Sequence, residues 1–303
     1  MANALNYAVE YTRSLVQWFP HVLHYGKLYA TPNNGRFRWV NAKTIEIPSI
    51  STTGRVDANR DTIVQAQRNY DNSWEPYTLT HERKWSTLVH PMDIVQTNLT
   101  TTIANITQAF NEFQKFPEMD AYCISKIFAD WQLCTDEEGH ARSVDHTVLT
   151  TENILQTTDD MMLSMDNERV PSAGRVLYCT YEVHYMLKRA EDFARSYSVQ
   201  SGGTAITRDI SRIEELEIIP VPAQMMKTAY EFTTGWKVAA DAKQINLFLV
   251  HPVAVITPVS YTFSRLDEPS AGSEGKYIYY EESFEDVFVL SKRAGAIRFN
   301  TEA

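Results

Sequence analysis

The clearest periodicity in the chain lies between Met92 and Phe113. Met92, Val95, Leu99, Ile103, Ile106, Phe110 and Phe113 recur in steps of three or four, which sets all seven on one side of a helix. Thr97, Thr100, Thr101, Thr102 and Thr107 occupy the remaining positions and are poor helix formers. The predicted helix therefore depends on packing its stripe rather than on propensity. A second helix is predicted from Pro117, a residue suited to a first helical turn, with Glu118 and Asp120 at the positive end of the dipole. Its apolar face is Ala121, Ile124, Ile127, Phe128 and Trp131.

The pattern upstream is different. Thr44 to Ile47 alternates polar and apolar residues, as a half-buried strand does. A second strand region runs from Trp74 through Tyr77, Leu79, Trp85 and Leu88 to Val89. The stretch between them, Ser51 to Ser73, has only Val56, Ile63, Val64 and Tyr70 as large apolar residues. Such a segment buries too little apolar surface to order itself alone. Two strands with a long polar tip predict a protruding hairpin, in which His81-Glu82 reads as a member of a cross-strand pair. Before the hairpin, Tyr7, Tyr11, Leu15, Trp18 and Phe19 fall at near-helical spacing and predict a short amphipathic helix within an arm. That aromatic stripe docks either on its own domain or on a neighbouring subunit.

From residue 150 to 257 helices and strands interleave. A helix carries Ile154, Leu155, Met161, Met162 and Met165, with Thr150 or Thr151 as its cap. Another carries Val183, Met186, Leu187, Ala190, Phe193 and Tyr197. Strands are predicted at Arg175 to Thr180, Leu216 to Val221 and Ile245 to Val250. The last 45 or so residues return to strands, ending in a hairpin around Arg293-Ala294-Gly295. This interleaving predicts an α/β or α+β fold. No internal repeat stands out.

Composition narrows the functional classes. The chain has 303 residues, 44% hydrophobic and 22% charged, the balance of a folded protein rather than a disordered one. Its formal net charge of −10 argues against a protein that grips nucleic acid through a basic face. It leaves room for a container wall that encloses DNA without binding it tightly. Cys123, Cys134 and Cys179 form no CxxC pair and read as three free thiols. No apolar run approaches the roughly 20 residues of a membrane span, and no secretory signal is visible at Met1 to Glu10.

Motifs that carry chemistry are missing. There is no glycine-rich phosphate loop, GxSxG elbow or HExxH helix. The spacing of His21-x-x-His24 suits two metal ligands on a helix. No acidic or cysteine partner lies nearby in sequence, however, and Pro20 interrupts the helix. The expectation is therefore no metal, no cofactor and no catalytic residue. Chelators should change neither thermal stability nor particle yield. An enzyme with a dispersed site around Tyr181, Glu182 and His184 stays open as a remote alternative.

The order of short segments adds something that periodicity does not. Lys43-Thr44-Ile45-Glu46-Ile47-Pro48-Ser49-Ile50, His81-Glu82-Arg83-Lys84-Trp85 and Phe116-Pro117-Glu118-Met119-Asp120-Ala121-Tyr122 come in turn. Gly174-Arg175-Val176-Leu177-Tyr178, Ile218-Ile219-Pro220-Val221-Pro222, His251-Pro252-Val253-Ala254-Val255 and Phe284-Glu285-Asp286-Val287-Phe288-Val289 follow. Together they resemble the major capsid proteins of tailed bacteriophages, which share the Hong-Kong-97-type capsid fold, over most of residues 40 to 300.

The resemblance implies an α+β fold in five parts. These are an N-terminal arm (1–34), an extended β-hairpin loop (35–91), a peripheral domain with a long spine helix (92–135), an axial domain (136–257) and peripheral return strands (258–303). It implies a structural, non-enzymatic subunit that self-assembles through hexamers and pentamers into an icosahedral or prolate virion shell around double-stranded DNA. Its implied partners are further copies of itself, a scaffolding protein, a portal, and head-decoration or connector proteins, with no membrane. The shell would pass through a procapsid in the bacterial cytoplasm. The residues expected at intersubunit contacts are Arg55, Arg60 and Arg68 on the tip, Tyr70 and Trp74 on the return strand, and Tyr7, Tyr11 and Trp18 on the arm. An encapsulin-like nanocompartment, built on the same fold around protein cargo, is the nearer alternative.

Overall fold

The computed structural model describes residues 20–55, 68–97, 102–136, 138–190, 212–213 and 216–303. The expected contact residues Tyr7, Tyr11, Trp18 and Arg60 lie outside the described residues. Among the described residues the first element is a one-turn helix α1 (Gly26–Tyr29), then strands β1 (Arg38–Asn41), β2 (Thr44–Thr52), β3 (Tyr70–Thr78) and β4 (Glu82–Val89). Helices α2 (Pro91–Gln96), α3 (Ile103–Phe110) and α4 (Phe116–Leu133) follow, then α5 (Ile154–Asn167), β5 (Val176–Thr180) and α6 (Tyr181–Arg189). The remaining strands are β6 (Arg212–Ile213), β7 (Leu216–Val221), β8 (Tyr230–Glu231), β9 (Lys237–Val238) and β10 (Ile245–Val250). They continue with β11 (Val255–Ile256), β12 (Val259–Asp267), β13 (Tyr277–Glu285), β14 (Phe288–Val289) and β15 (Ile297–Thr301).

The core is a five-stranded sheet in the order β15-β10-β5-β7-β6, in which β5 and β7 are parallel and the other neighbours antiparallel. Every residue of β5 is buried, as expected of a strand covered on both faces. Successive side chains divide between two layers. Val176, Tyr178, Phe248, Val250 and Phe299 pack with Ile124, Ile127, Phe128 and Trp131 of α4 and with Tyr25. Leu177, Cys179, Leu247 and Leu249 face Met161 and Met165 of α5 and Val183 and Leu187 of α6. Phe248 and Phe299 stack with ring centres 4.7 Å apart.

Two helical expectations are corrected. The predicted helix over 92–113 is not continuous, because α2 ends at Gln96. The Thr97 hydroxyl donates to the Asp93 carbonyl at 2.6 Å, and Thr102 caps a new helix by accepting from the Asn105 N–H at 3.3 Å. Threonine hydroxyls satisfy helix-end groups locally, so they suit ends better than interiors. Conversely, no break separates Phe113 from Pro117. A π-turn over Asn111–Lys115 joins α3 to α4. Pro117 has no N–H to donate, and its ring would strike the carbonyl four residues back. A widened turn just before it accommodates both faults while the helix runs on. The cap of α5 also differs. Thr150 and Asn153 exchange hydrogen bonds in the preceding turn, and no side chain caps the helix itself.

Beyond the core lie two long β structures. β2 and β3 pair antiparallel from Thr44↔Thr78 to Thr52↔Tyr70, with short β1 beside the root of β2. β13 pairs with β12 on one side and β4 on the other. The predicted second strand region is thus split near Leu79 to His81, with its first half in one sheet and its second half in another.

Candidate assembly surface

The root of the β2/β3 hairpin is tied to the core by a small apolar cluster of Ile45, Leu79, Ile256, Phe284 and Phe288. Buried Asp286 reinforces it. Its carboxylate accepts from the Thr80 N–H at 2.7 Å, the Tyr122 hydroxyl at 2.6 Å and the Val287 N–H at 2.8 Å. A buried carboxylate needs such partners to offset its desolvation. Burial, with Asp286 next to it, also raises the Tyr122 pKa. Arg83 pairs with Glu118 and Lys115 with Glu281, which links β4 and β13 to the long helix across an open cleft of about 570 Å³.

His81, read from sequence as a cross-strand partner, instead turns inward and stacks on Tyr122 with ring centres 3.7 Å apart. Burial first, then the Arg83 guanidinium, push its pKa down to about 4, against an upward pull from Asp286. A histidine whose pKa is lower folded than unfolded binds its proton preferentially when unfolded. Its contribution is therefore full above about pH 6.5, and stability falls as the pH drops toward about 4. At about 1.4 kcal/mol per pH unit, the loss is about 3 kcal/mol. Replacing His81 with Gln is expected to remove this part of the acid sensitivity. Urea unfolding at about pH 7 and about pH 4 checks it, and an unchanged difference between the two pH values in the variant would refute the assignment.

Away from its root the hairpin is exposed on both faces. Tyr70 is 57% exposed and Trp74 39%, and both lie on the same side of β3 by parity. The Arg38 guanidinium covers the Trp74 ring at 3.6 Å, and Arg68 lies over Tyr70 at 4.8 Å. Each cation thus shields one face of an aromatic ring. Arg55 is exposed. Pro48 and Pro76 stand opposite Trp74 and Glu46. Prolines remove ladder donors and suit strand edges open to solvent.

Three further apolar surfaces were not among the expected contact residues. Val259, Tyr261 and Phe263 alternate with Ser260, Thr262 and Ser264, yet all three apolar side chains are exposed, and Tyr261 and Phe263 stack in parallel. This period-two alternation was visible in the sequence. It reads there as one buried face of a strand, whereas nothing among the described residues buries it. On α2, Met92 and Val95 are exposed. On α3, Ile103, Ile106 and Phe110 are only half-buried, although Phe110 stacks on Trp85 with ring centres 3.9 Å apart. A periodic stripe predicted to pack is therefore only partly covered among the described residues. Exposed apolar patches of this kind mark interaction surfaces.

The residues of the remote enzymatic alternative do not converge. Tyr181 and Glu182 are exposed on the first turn of α6, while His184 is buried. Cys123, Cys134 and Cys179 are all unpaired. Among the described residues, no helix is long and apolar enough to cross a membrane.

His21 and His24 do acquire an acidic partner. Asp120 of α4, fully buried, places a carboxylate oxygen 2.7 Å from His21 Nε2. It also accepts from the His24 N–H at 2.9 Å and the Tyr25 N–H at 3.1 Å. Burial lowers the His24 pKa, against an upward pull from Asp120 and with a further lowering by His21. Nearness in sequence could not reveal this partner, which lies 99 residues from His21.

Neither a protein-family model nor a curated protein sequence matches the chain. Solved structures do. A chain of Mycobacterium phage Che8 is 12% identical, with a TM-score of 0.63 over 97% of both chains. A chain from the capsid structure of the cyanophage P-SCSP1u is 9% identical, with a TM-score of 0.66 over 98% of this chain and 93% of that one. A chain from the mature capsid of bacteriophage PhiM1 is 10% identical, with a TM-score of 0.62 over 86% and 82%. At these identities the likeness establishes fold, and it spans nearly the whole length: the chain has the α+β fold of tailed-phage capsid subunits.

Proposed function

We propose that this chain is the major capsid protein of a tailed bacteriophage, a structural subunit of the virion shell that encloses double-stranded DNA. The observation that carries the reading is the match in fold to chains of phage capsid structures over 97–98% of this chain. The surface supports it. The chain exposes a long hairpin, an aromatic strand and helix stripes that a solitary subunit leaves partly wet. Repeated heterologous contacts around a ring would cover them. The net charge of −10 suits a wall that confines DNA without gripping it. On this reading the subunit forms hexamers and pentamers, with a scaffolding protein, a portal, and decoration or connector proteins as partners. Arg55, Arg60, Arg68, Tyr70 and Trp74, and the arm residues Tyr7, Tyr11 and Trp18, are proposed at the contacts between subunits.

Expression with and without a co-expressed phage scaffolding protein, followed by size-exclusion chromatography with light scattering and electron microscopy, tests the proposal. Closed shells are expected in at least one condition. A strictly monomeric protein in both would overturn it, as would shells that retain protein cargo and never package DNA during infection.

A further inference from the structure

The expectation of no metal rested on the absence of an acidic residue near His21 and His24 in sequence, and the fold removes that objection. One ligand atom from each of His21, His24 and Asp120 lies within 4.8 Å of the others. The two imidazoles meet edge to face with centres 5.1 Å apart. Two histidines bound to one tetrahedral ion at about 2.0–2.1 Å would hold their ring centres roughly 5 Å apart. The carboxylate is fully buried, while the His21 side chain is 13% exposed, so the donors form an inner wall with an opening toward solvent. We infer that His21, His24 and Asp120 bind a zinc-like divalent cation that fastens the segment preceding α1 to helix α4.

The donor set suits the ion. Two neutral imidazoles and one carboxylate are borderline-to-hard ligands that zinc accepts, and a water can complete a tetrahedron. Binding requires one exchange, in which the ion replaces the proton between His21 Nε2 and Asp120 Oδ2. Asp120 keeps its backbone partner, the Tyr25 N–H, which orients the carboxylate as second-sphere hydrogen bonds commonly do. The clamp would sit where the chain crosses the long helix. There the His21 N–H already donates to the Glu112 carbonyl at 3.3 Å.

The competing account is a buried histidine–carboxylate hydrogen bond with no ion. The two differ at His24. In the structure, His24 donates to Asp120 through its backbone N–H, so without an ion the His24 side chain supplies its edge-to-face contact with His21 and no ligand. The full-length protein, treated with chelator and dialysed, is titrated with CoCl₂ and with ZnCl₂. Wild type is expected to take up one Co²⁺ per chain with the intense visible absorption of a tetrahedral site. Its Tm is expected to rise by several degrees with ZnCl₂ and to fall back in EDTA. His24→Ala and His21→Ala should each fold yet lose the absorption and the Tm response. A wild-type spectrum indistinguishable from that of His24→Ala, or a Zn²⁺ response that survives in His24→Ala, would overturn the assignment. Neither result bears on shell formation, which is read separately by microscopy.

Discussion

Replacing residues 54–68 with Asn-Gly is expected to abolish shell assembly while leaving the subunit folded. The change brings Thr53 and Asn69 together through a two-residue turn, and these residues already share a backbone hydrogen bond of 3.0 Å. Asn-Gly supplies the positive φ angles that such a turn requires. The strand register from Thr44↔Thr78 to Thr52↔Tyr70 is retained, as is the apolar cluster at the root. Arg55, Arg60 and Arg68 are removed. An exposed ion pair contributes only about 0–1 kcal/mol. A shell repeats each contact at every subunit, however, so small terms combine multivalently and decide whether the lattice closes. Circular dichroism should show an unchanged melting transition, and micrographs should show no shells. Normal shells from this variant would mean that the tip is not an intersubunit clamp.

Replacing Trp131 with Ala should have the opposite outcome, with the subunit itself failing. Trp131 is fully buried and packs against Phe299 with ring centres 5.2 Å apart. Its indole N–H donates to the Ala294 carbonyl at 3.1 Å. Truncation opens a large cavity beneath the central sheet and strands a buried acceptor, so a loss of about 3–5 kcal/mol is expected. Out of a total of about 5–15 kcal/mol, that removes a large share of the subunit's stability and is expected to lower its urea midpoint and its folded yield. Phe110→Ala provides the contrast. Phe110 is half-buried, and its stacking on Trp85 adds about 0.5–1.5 kcal/mol beyond area burial. Its cost to the subunit should be smaller than that of Trp131→Ala, with the greater damage appearing in assembly. Urea midpoints compared with particle yields separate the two effects. Equal midpoints for both variants would show that the α3 stripe belongs to the subunit's own core.

The local pattern alone determined much of the core. Ile124, Ile127, Phe128 and Trp131 recur at helical spacing and do form the buried face of α4. The apolar runs Arg175 to Thr180, Leu216 to Val221 and Ile245 to Val250 are strands of the central sheet. These elements were legible because burial within a subunit imposes one period on one segment, and short-range sequence carries that period directly. Of the long polar stretch between two strand patterns, the described ends, 51–55 and 68–73, are exposed.

Tertiary structure decided what depends on residues far apart. It showed that the return strand leaves the hairpin at His81 to pair with β13, because the β3 and β4 edges meet different partners. It showed that Pro117 interrupts no helix, since a π-turn just before it absorbs the missing donor and the steric clash. It also revealed that the stripes on α2, α3 and β12 are left partly open. Periodicity reports that a face is apolar, but not whether its cover comes from the same chain or another. Finally, it set Asp120 beside His21 and His24. A ligand set drawn from segments nearly a hundred residues apart leaves no spacing for a sequence pattern to record, because only the crossing of the N-terminal segment over α4 creates it.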